Sequence, residues 1–162
     1  MNFIQKRIQQ KQKEQEEQLK RECCCSMLVI EDYIDNIKDL ITKIASNKKS
    51  ISDFDMYHFI WYLEYLEKHY SDFLHDLKQE EFTSKTCYVI KYAEESKQKA
   101  EFMHKLKKQY RKEFESIYHN FQRVTKGRNF PRRNEILGIM RKAFDFDSSK
   151  YYSNDDQFVL MR

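Results

Sequence analysis

The chain has 162 residues, of which 35% are charged and 15% are aromatic, and it contains 2 glycines and 1 proline. Sheet proteins and doubly wound folds need turn residues at short intervals, so this composition argues against both. A glycine-rich phosphate loop is excluded, because Gly127 and Gly138 stand far apart. Disorder throughout is not expected either, since 40% of the residues are apolar. We therefore predict an all-α protein.

The net charge of +4 is unevenly distributed along the chain. Residues 1–13 carry four cations and no acid, and residues 14–104 have a net charge of −7. Residues 105–142 hold twelve Lys and Arg against three Glu, which gives a net charge of +9. Such a segment beside an acidic body predicts an acidic partner: nucleic acid, an anionic lipid surface or an acidic protein. The alternative is a solvated helix face.

Neither a membrane span of about 18 apolar residues nor a secretory signal is visible. We therefore expect contact with a membrane to be peripheral at most. The acid-free start, with Phe3, Ile4 and Ile8 along one helical side, is compatible with a mitochondrial address. Without such an address the chain is expected to be cytoplasmic.

The four cysteines form a run, Cys23 to Cys25, and a single residue, Cys87. Three consecutive cysteines splay around a helix and suit neither a disulfide framework nor a tetrahedral zinc site. We interpret them as reduced thiols in a packed helix. Lipidation of the run is the alternative.

Residues 1–25 are polar and rich in helix formers, so they read as a solvated helical extension or a low-complexity tail. Apolar residues at alternating spacings of three and four then predict two successive helices. The first seam contains Met27, Ile30, Ile34, Ile37, Ile41 and Ile44. The second contains Phe59, Leu63, Leu66, Tyr70, Phe73 and Leu77, after an N-cap at Ser52 or Asp53.

A third seam contains Val89, Ala93, Ser96, Ala100, Met103, Leu106 and Tyr110, and continues through Ile117, Phe121 and Val124. It is two positions out of phase with the second seam, about 200° around a helix. One straight helix cannot place both stripes on one face. We therefore predict a turn or sharp kink near Thr83 and Ser84.

Gly127 is predicted to end the third helix in the left-handed conformation, and Asn129 and Pro131 to open a fourth. Its apolar stripe is Ile136, Met140 and Phe144. The predicted fold is an antiparallel helical bundle or coiled-coil hairpin with a long polar N-terminal helix and a short C-terminal basic helix. The predicted segments are an extension (1–25), a bundle (26–126), a short basic helix (127–147) and an irregular tail (148–162).

The five histidines show neither metal-ligand spacing nor the Glu-x-x-His pattern of di-iron bundles. No local nucleophile–base motif stands out. We therefore predict that the protein is not an enzyme and that it needs no cofactor or metal.

Aromatic residues crowd the start of the second helix and cover more than one of its faces. One interpretation places them in the core, and the other is a second apolar surface that docks a partner. The residues are Phe54, Tyr57, Phe59, Trp61, Tyr62, Tyr65 and Tyr70.

Residues 106–147 combine cations with aromatics in a distinctive order: Tyr110-Arg111, then Arg123, Asn129-Phe130-Pro131, and Ile139-Met140-Arg141-Lys142-Ala143-Phe144. This order resembles the first two helices of the LYR-motif family, also called the complex I LYR family. That family has Leu-Tyr-Arg on a helix, further basic residues, and a second helix that ends in Ile/Met-Arg-x-x-Phe.

The resemblance implies a mitochondrial accessory subunit or assembly factor of a respiratory membrane complex. It also implies docking of the acidic acyl carrier protein, whose phosphopantetheine-linked acyl chain would enter the helical core. By position, the partner-binding residues would be Lys107, Lys108, Tyr110, Arg111, Lys112, Arg141 and Phe144.

Two alternatives compete with this hypothesis. The long polar helix and the heptad seams equally fit a coiled-coil stalk or escort protein of a secretion or export machine. The basic segment alone would also permit a helical nucleic-acid-binding module, but no known module is visible in it, so nucleic acid is the least expected partner.

Overall fold

The computed structural model describes residues 2–144 except 24–25 and 47–50, and for residues 22 and 23 it describes the backbone alone. Five α-helices and no strand are present in these ranges. They are α1 (Phe3–Cys23), α2 (Ser26–Ser46), α3 (Asp53–Thr86), α4 (Ile90–Thr125) and α5 (Arg133–Phe144). The predicted all-α fold is confirmed.

The seams predicted on α2 and α3 form the core. All twelve of their residues are buried, from Met27 to Ile44 and from Phe59 to Leu77. The seam on α4 is buried from Ser96 to Phe121, whereas Val124 at its end is half-buried. Each of α2, α3 and α4 thus buries one stripe, as the alternating spacing of three and four residues requires.

The helices divide into two compact units, and the divisions fall inside α2, α3 and α4. Unit 1 comprises residues 1–32 and 68–109, and unit 2 comprises residues 33–67 and 110–162. Each unit therefore contains pieces that lie far apart in sequence.

Unit 2 contains the second part of α2, the first part of α3, the second part of α4 and all of α5. Lys43 pairs with Asp55 at 2.7 Å, and the ring of Tyr33 lies 5.8 Å from that of Tyr62, so α2 and α3 run antiparallel here. The rings of Phe59 and Phe121 stack at 5.6 Å and join α3 to α4.

Unit 1 contains α1, the start of α2, the end of α3 and the start of α4. His104 of α4 contacts Glu81 of α3 across a short connection, which makes these two segments an antiparallel hairpin. Lys20 of α1 pairs with Glu31 of α2 at 2.5 Å. Most of α1 is exposed, as a solvated extension requires.

The turn predicted near Thr83 and Ser84 is present but lies three residues later, because α3 continues to Thr86 and the chain turns at residues 87–89. The hydroxyl of Ser84 donates to the Glu81 carbonyl at 2.6 Å, and that of Thr86 donates to the Phe82 carbonyl at 2.8 Å. Hydroxyls that bond back onto the preceding turn let the helix continue. Val89, predicted as a seam residue, consequently lies outside α4 and is exposed.

The connection between α4 and α5 follows the prediction at its start and departs from it at its end. Gly127 has φ +71°, the left-handed conformation expected just after a helix. The fourth helix of the prediction is α5, and it begins at Arg133. The predicted starts, Asn129 and Pro131, lie in the connection. Arg132, with φ +59°, accepts the amide of Ile136 on its carbonyl and so forms the true N-cap.

Ser52 caps α3, because its hydroxyl accepts the amide of Asp55 at 3.1 Å. No helix in the described residues is both long and apolar enough to cross a membrane. The predicted tail (148–162) and Cys24 and Cys25 lie outside the described residues. The proposed boundaries at residues 25, 126 and 147 stay predictions.

Candidate partner-binding surface

The α4–α5 hairpin of unit 2 is closed by an aromatic stack. Phe144 lies parallel to Phe114, with ring centroids 4.6 Å apart and planes 7° from parallel, and Phe114 in turn stacks on Tyr110 at 6.4 Å. All three are buried. The structure thus joins two predicted site residues, Tyr110 and Phe144, through Phe114, which the sequence reasoning did not select.

Arg141 belongs to the same buried interior. Its Nη1 donates to the Tyr118 hydroxyl at 2.8 Å, and its guanidinium lies 6.0 Å from the centroid of the Tyr118 ring. Burial of a cation is costly without hydrogen bonds, so this arrangement fixes α5 against α4 rather than offering a free charge to a partner.

The connection between α4 and α5 uses two further cations to satisfy helix ends. Arg128 donates through Nη1 to the carbonyls of Ile44 at 3.0 Å and Val124 at 3.1 Å, which lie in the last turns of α2 and α4. Arg133 donates to the Thr125 hydroxyl at 2.9 Å and to the Gln122 carbonyl at 3.4 Å. The last carbonyls of a helix lack intrahelical donors, so these contacts supply what the backbone cannot.

Arg132 and Glu135 form a bidentate pair at the start of α5, with N–O distances of 2.7 and 2.5 Å. These hydrogen bonds lower the pKa of Glu135 and raise that of Arg132. Lys142 also has an acidic neighbour, Glu67 of α3, at 3.6 Å.

Of the nine Lys and Arg in residues 110–144, five are therefore engaged within unit 2. The other four make no hydrogen bond or ion pair to any described residue. They are Arg111, Lys112, Arg123 and Lys126; Arg111 is half-buried and the rest are exposed.

Lys112 and Arg123 lie on one side of α4, opposite its buried stripe, because a separation of eleven residues corresponds to about three turns, and Lys126 directly follows the end of the helix. We call these three residues the outer basic face. His119 lies on the same side and is exposed. Unit 2 therefore combines a packed interior with a solvent-facing row of cations that make no ion pair with a described acid.

The seven predicted partner-binding residues thus fall into separate environments. Tyr110, Arg141 and Phe144 are buried in unit 2, where Arg111 is half-buried and Lys112 is exposed. Lys107 and Lys108 belong to unit 1, half-buried and exposed respectively. Arg123 and Lys126 were not selected, although their spacing from Lys112 would have shown the shared helix face.

The aromatic cluster of α3 divides between interior and surface. Phe59 is buried, whereas Phe54 and Tyr57 are 71% and 66% exposed. Trp61 is half-buried, with its ring 4.3 Å from that of Tyr65 and 5.9 Å from that of Tyr33 on α2. Core packing therefore accounts for part of this cluster, and docking of a partner by its exposed rings stays a prediction.

Polar clusters suited to metal binding are absent from the residues that the structure describes. His69 has its Nδ1 3.3 Å from the Ser26 hydroxyl, and His104 contacts Glu81. The absence of catalysis stays a prediction.

No family model, curated protein or solved structure matches the chain.

Proposed function

We propose that this protein is a non-catalytic helical docking subunit that binds an acidic protein through the outer basic face of α4. The observation that carries the proposal is that unit 2 binds some of its own cations and leaves others exposed. Five of nine are engaged by the unit itself, while Lys112, Arg123 and Lys126 stand exposed without an acidic neighbour in ion-pair contact. An anionic partner would gain these charges without breaking any described contact.

The LYR resemblance narrows the proposal. It makes the partner an acyl carrier protein and the assembly a mitochondrial respiratory membrane complex. Arg111, the motif arginine, is half-buried and has no described hydrogen-bond or ion-pair partner, so it can turn toward an acidic helix. Tyr110 and Phe144 would act from inside, since they form the stack that orients α4 and α5. Entry of an acyl chain at this stack would require Phe144 to separate from Phe114.

The test is binding of purified acyl carrier protein to the full chain, followed by fluorescence anisotropy at several salt concentrations. Reversing Lys112, Arg123 and Lys126 to Glu together is expected to weaken binding by more than about tenfold, because each attraction becomes a repulsion. Affinity for the unaltered chain should fall as salt rises. The control is Lys78→Glu with Lys97→Glu, two exposed lysines of unit 1.

An equal loss of affinity in both variants would mean that the net charge of the chain, and not the outer basic face, determines binding. Absence of binding to the unaltered, folded chain would reject the acyl carrier protein. Binding of generic duplex DNA or RNA with a steep salt dependence would instead favour the nucleic-acid module. Recovery of secretion or export components with the native protein would favour the coiled-coil stalk or escort.

A further inference from the structure

The turn between α3 and α4 in unit 1 is unusually apolar for an exposed connection. Tyr88 is 100% exposed and Ile90 74%, and three further large apolar side chains around the turn are at least half exposed: Phe82, Val89 and Tyr92. Connections on a protein surface are normally built from Gly, Pro, Asn, Asp and Ser. Here the chain turns through Cys-Tyr-Val-Ile.

The polar groups of this segment do not offset its apolar surface. The hydroxyls of Ser84 and Thr86 are directed to backbone carbonyls of α3. A group of neighbouring exposed apolar side chains marks an interaction site more often than a single exposed apolar residue does. The turn therefore needs a covering surface.

The charge closest to the turn indicates which surface. Residues 82–92 contain Lys85 and Lys91 and no acid, and the nearest acids lie outside them, at Glu80, Glu81, Glu94 and Glu95, with Glu81 in contact with His104. Both lysines are exposed, and neither makes an ion pair with a described residue. Large apolar side chains flanked by cations, with two tyrosines among them, suit the interface of a bilayer that carries anionic lipid: the apolar groups enter the acyl region, tyrosines prefer its boundary, and lysines meet the headgroups.

A second segment of unit 1 has the same character. Phe3, Ile4 and Ile8 at the start of α1 are all more than half exposed. They stand among four cations and no acid in residues 1–13. Two acid-free, apolar and basic segments in one compact unit strengthen the assignment to an anionic lipid surface.

We propose that Tyr88 and Val89 of the turn and Ile90, the first residue of α4, with Lys85 and Lys91 beside them, insert into the surface of an anionic phospholipid bilayer. The element acts as a peripheral anchor, since no described helix spans a membrane. This inference is independent of the proposed acidic protein partner, which concerns unit 2.

The experiment is flotation of the full chain with vesicles of phosphatidylcholine alone or mixed with phosphatidylglycerol. Binding to the mixed vesicles is expected, and replacing Tyr88, Val89 and Ile90 together by Ser should weaken it by about tenfold or more. The control is Phe54→Ser with Tyr57→Ser, which removes equally exposed aromatics from unit 2 and should leave binding unchanged. Circular dichroism verifies that both variants keep their helices.

The charge component is tested with Lys85→Glu and Lys91→Glu. A lysine close to an anionic membrane strengthens binding roughly fivefold, so the double reversal should cost more than that factor and the loss should shrink at high salt. The control reverses Lys78 and Lys97, exposed lysines of the same unit. The variant with a reversed outer basic face should still float, which separates this proposal from the one for unit 2.

Several results would overturn the inference. Failure of the folded, unaltered chain to float with anionic vesicles would do so, as would undiminished binding of the Tyr88, Val89 and Ile90 variant. The second result would assign lipid binding to another segment, such as the start of α1. If the same substitutions instead convert a dimer to a monomer in sedimentation, or release a protein partner without affecting flotation, the covering surface is a protein.

Discussion

The connections at the two ends of α4 solve the same problem in opposite ways. The connection that follows α4, residues 126–132, buries Phe130 and directs Arg128 to open helix carbonyls. The turn that precedes α4, residues 87–89, leaves Tyr88 fully exposed. The first connection buries its aromatic ring and forms its hydrogen bonds within its own unit, whereas the second exposes its apolar side chains to water. Two connections of one helix can thus differ in whether they serve the fold or an external surface.

The largest difference is expected when one aromatic is removed from each connection. Phe130 is buried and lies edge-on to Phe121 at 5.6 Å, so Phe130→Ala should lower the free energy of unfolding by about 3 kcal/mol. Tyr88→Ala should change it by less than about 0.5 kcal/mol, because an exposed side chain has little packing to lose. Urea unfolding followed by circular dichroism measures both. Similar losses in the two variants would refute the contrast.

The next effect concerns the cation of the satisfied connection. Arg128→Met keeps much of the aliphatic stem and removes the donor to the carbonyls of Ile44 and Val124. Because hydrogen bonds from charged donors are stronger than neutral ones, we expect a loss of about 2 kcal/mol in urea unfolding. Lys85→Met in the last turn of α3, beside the other connection, is the control and should leave stability unchanged. A silent Arg128→Met would show that water replaces the guanidinium at no cost.

Replacing either glycine by Ala should change the stability less, and the two substitutions should act in opposite directions. Gly127 has φ +71°, so Gly127→Ala should destabilise the protein by about 1 kcal/mol through backbone strain, although an added Cβ meets nothing within 4 Å. Gly138 lies within α5, and its added Cβ would be 3.9 Å from Arg141 Nη2, an ordinary contact. Gly138→Ala should therefore stabilise the protein by up to about 1 kcal/mol. Thermal melts that shift in the same direction would contradict the assignment.

The smallest effect extends the comparison to the start of α3. The pKa of Asp55 lies below its ordinary value of 3.8, chiefly because Lys43 donates a hydrogen bond to its carboxylate. This contribution to stability is fully present above that ordinary value and is lost as the pH falls through the lowered pKa. The stability difference between the unaltered chain and Asp55→Asn should accordingly shrink in acid. Urea unfolding across a pH series measures it.

Asp53→Asn is the matched control for this series, since Asp53 occupies the same helical turn and forms no ion pair with a described residue. A difference for Asp55→Asn that stays constant to strongly acidic pH would mean that the ion pair contributes nothing.

The long helices could be predicted from sequence because burial repeats with the helical period. The seam from Met27 to Ile44 needs no knowledge of its neighbours. The turn could not be placed, since whether Ser84 and Thr86 end a helix depends on where their hydroxyls bond. The phase difference between the second and third seams predicted that a turn exists, but it did not fix the residue at which α3 ends, and the predicted turn fell three residues early.

The candidate surface was harder to predict than the fold. The net charge located a basic segment. It could not show which cations bond to groups of the same unit and which make no hydrogen bond or ion pair with a described residue. Arg128 reaches Ile44 across 84 positions of sequence, and Arg141 turns inward to Tyr118. Such pairings depend on tertiary distance. The spacing of Lys112, Arg123 and Lys126, by contrast, is local and readable in advance.

The guanidinium of Arg128 has a consequence for motion as well as for stability. It holds a carbonyl near the end of α2 and another near the end of α4, so neither terminal turn can fray freely while both bonds are made. Local opening at the two helix ends becomes a single correlated event. Backbone amides in both last turns should then exchange with solvent at matched rates, and should become independent once this one side chain is removed.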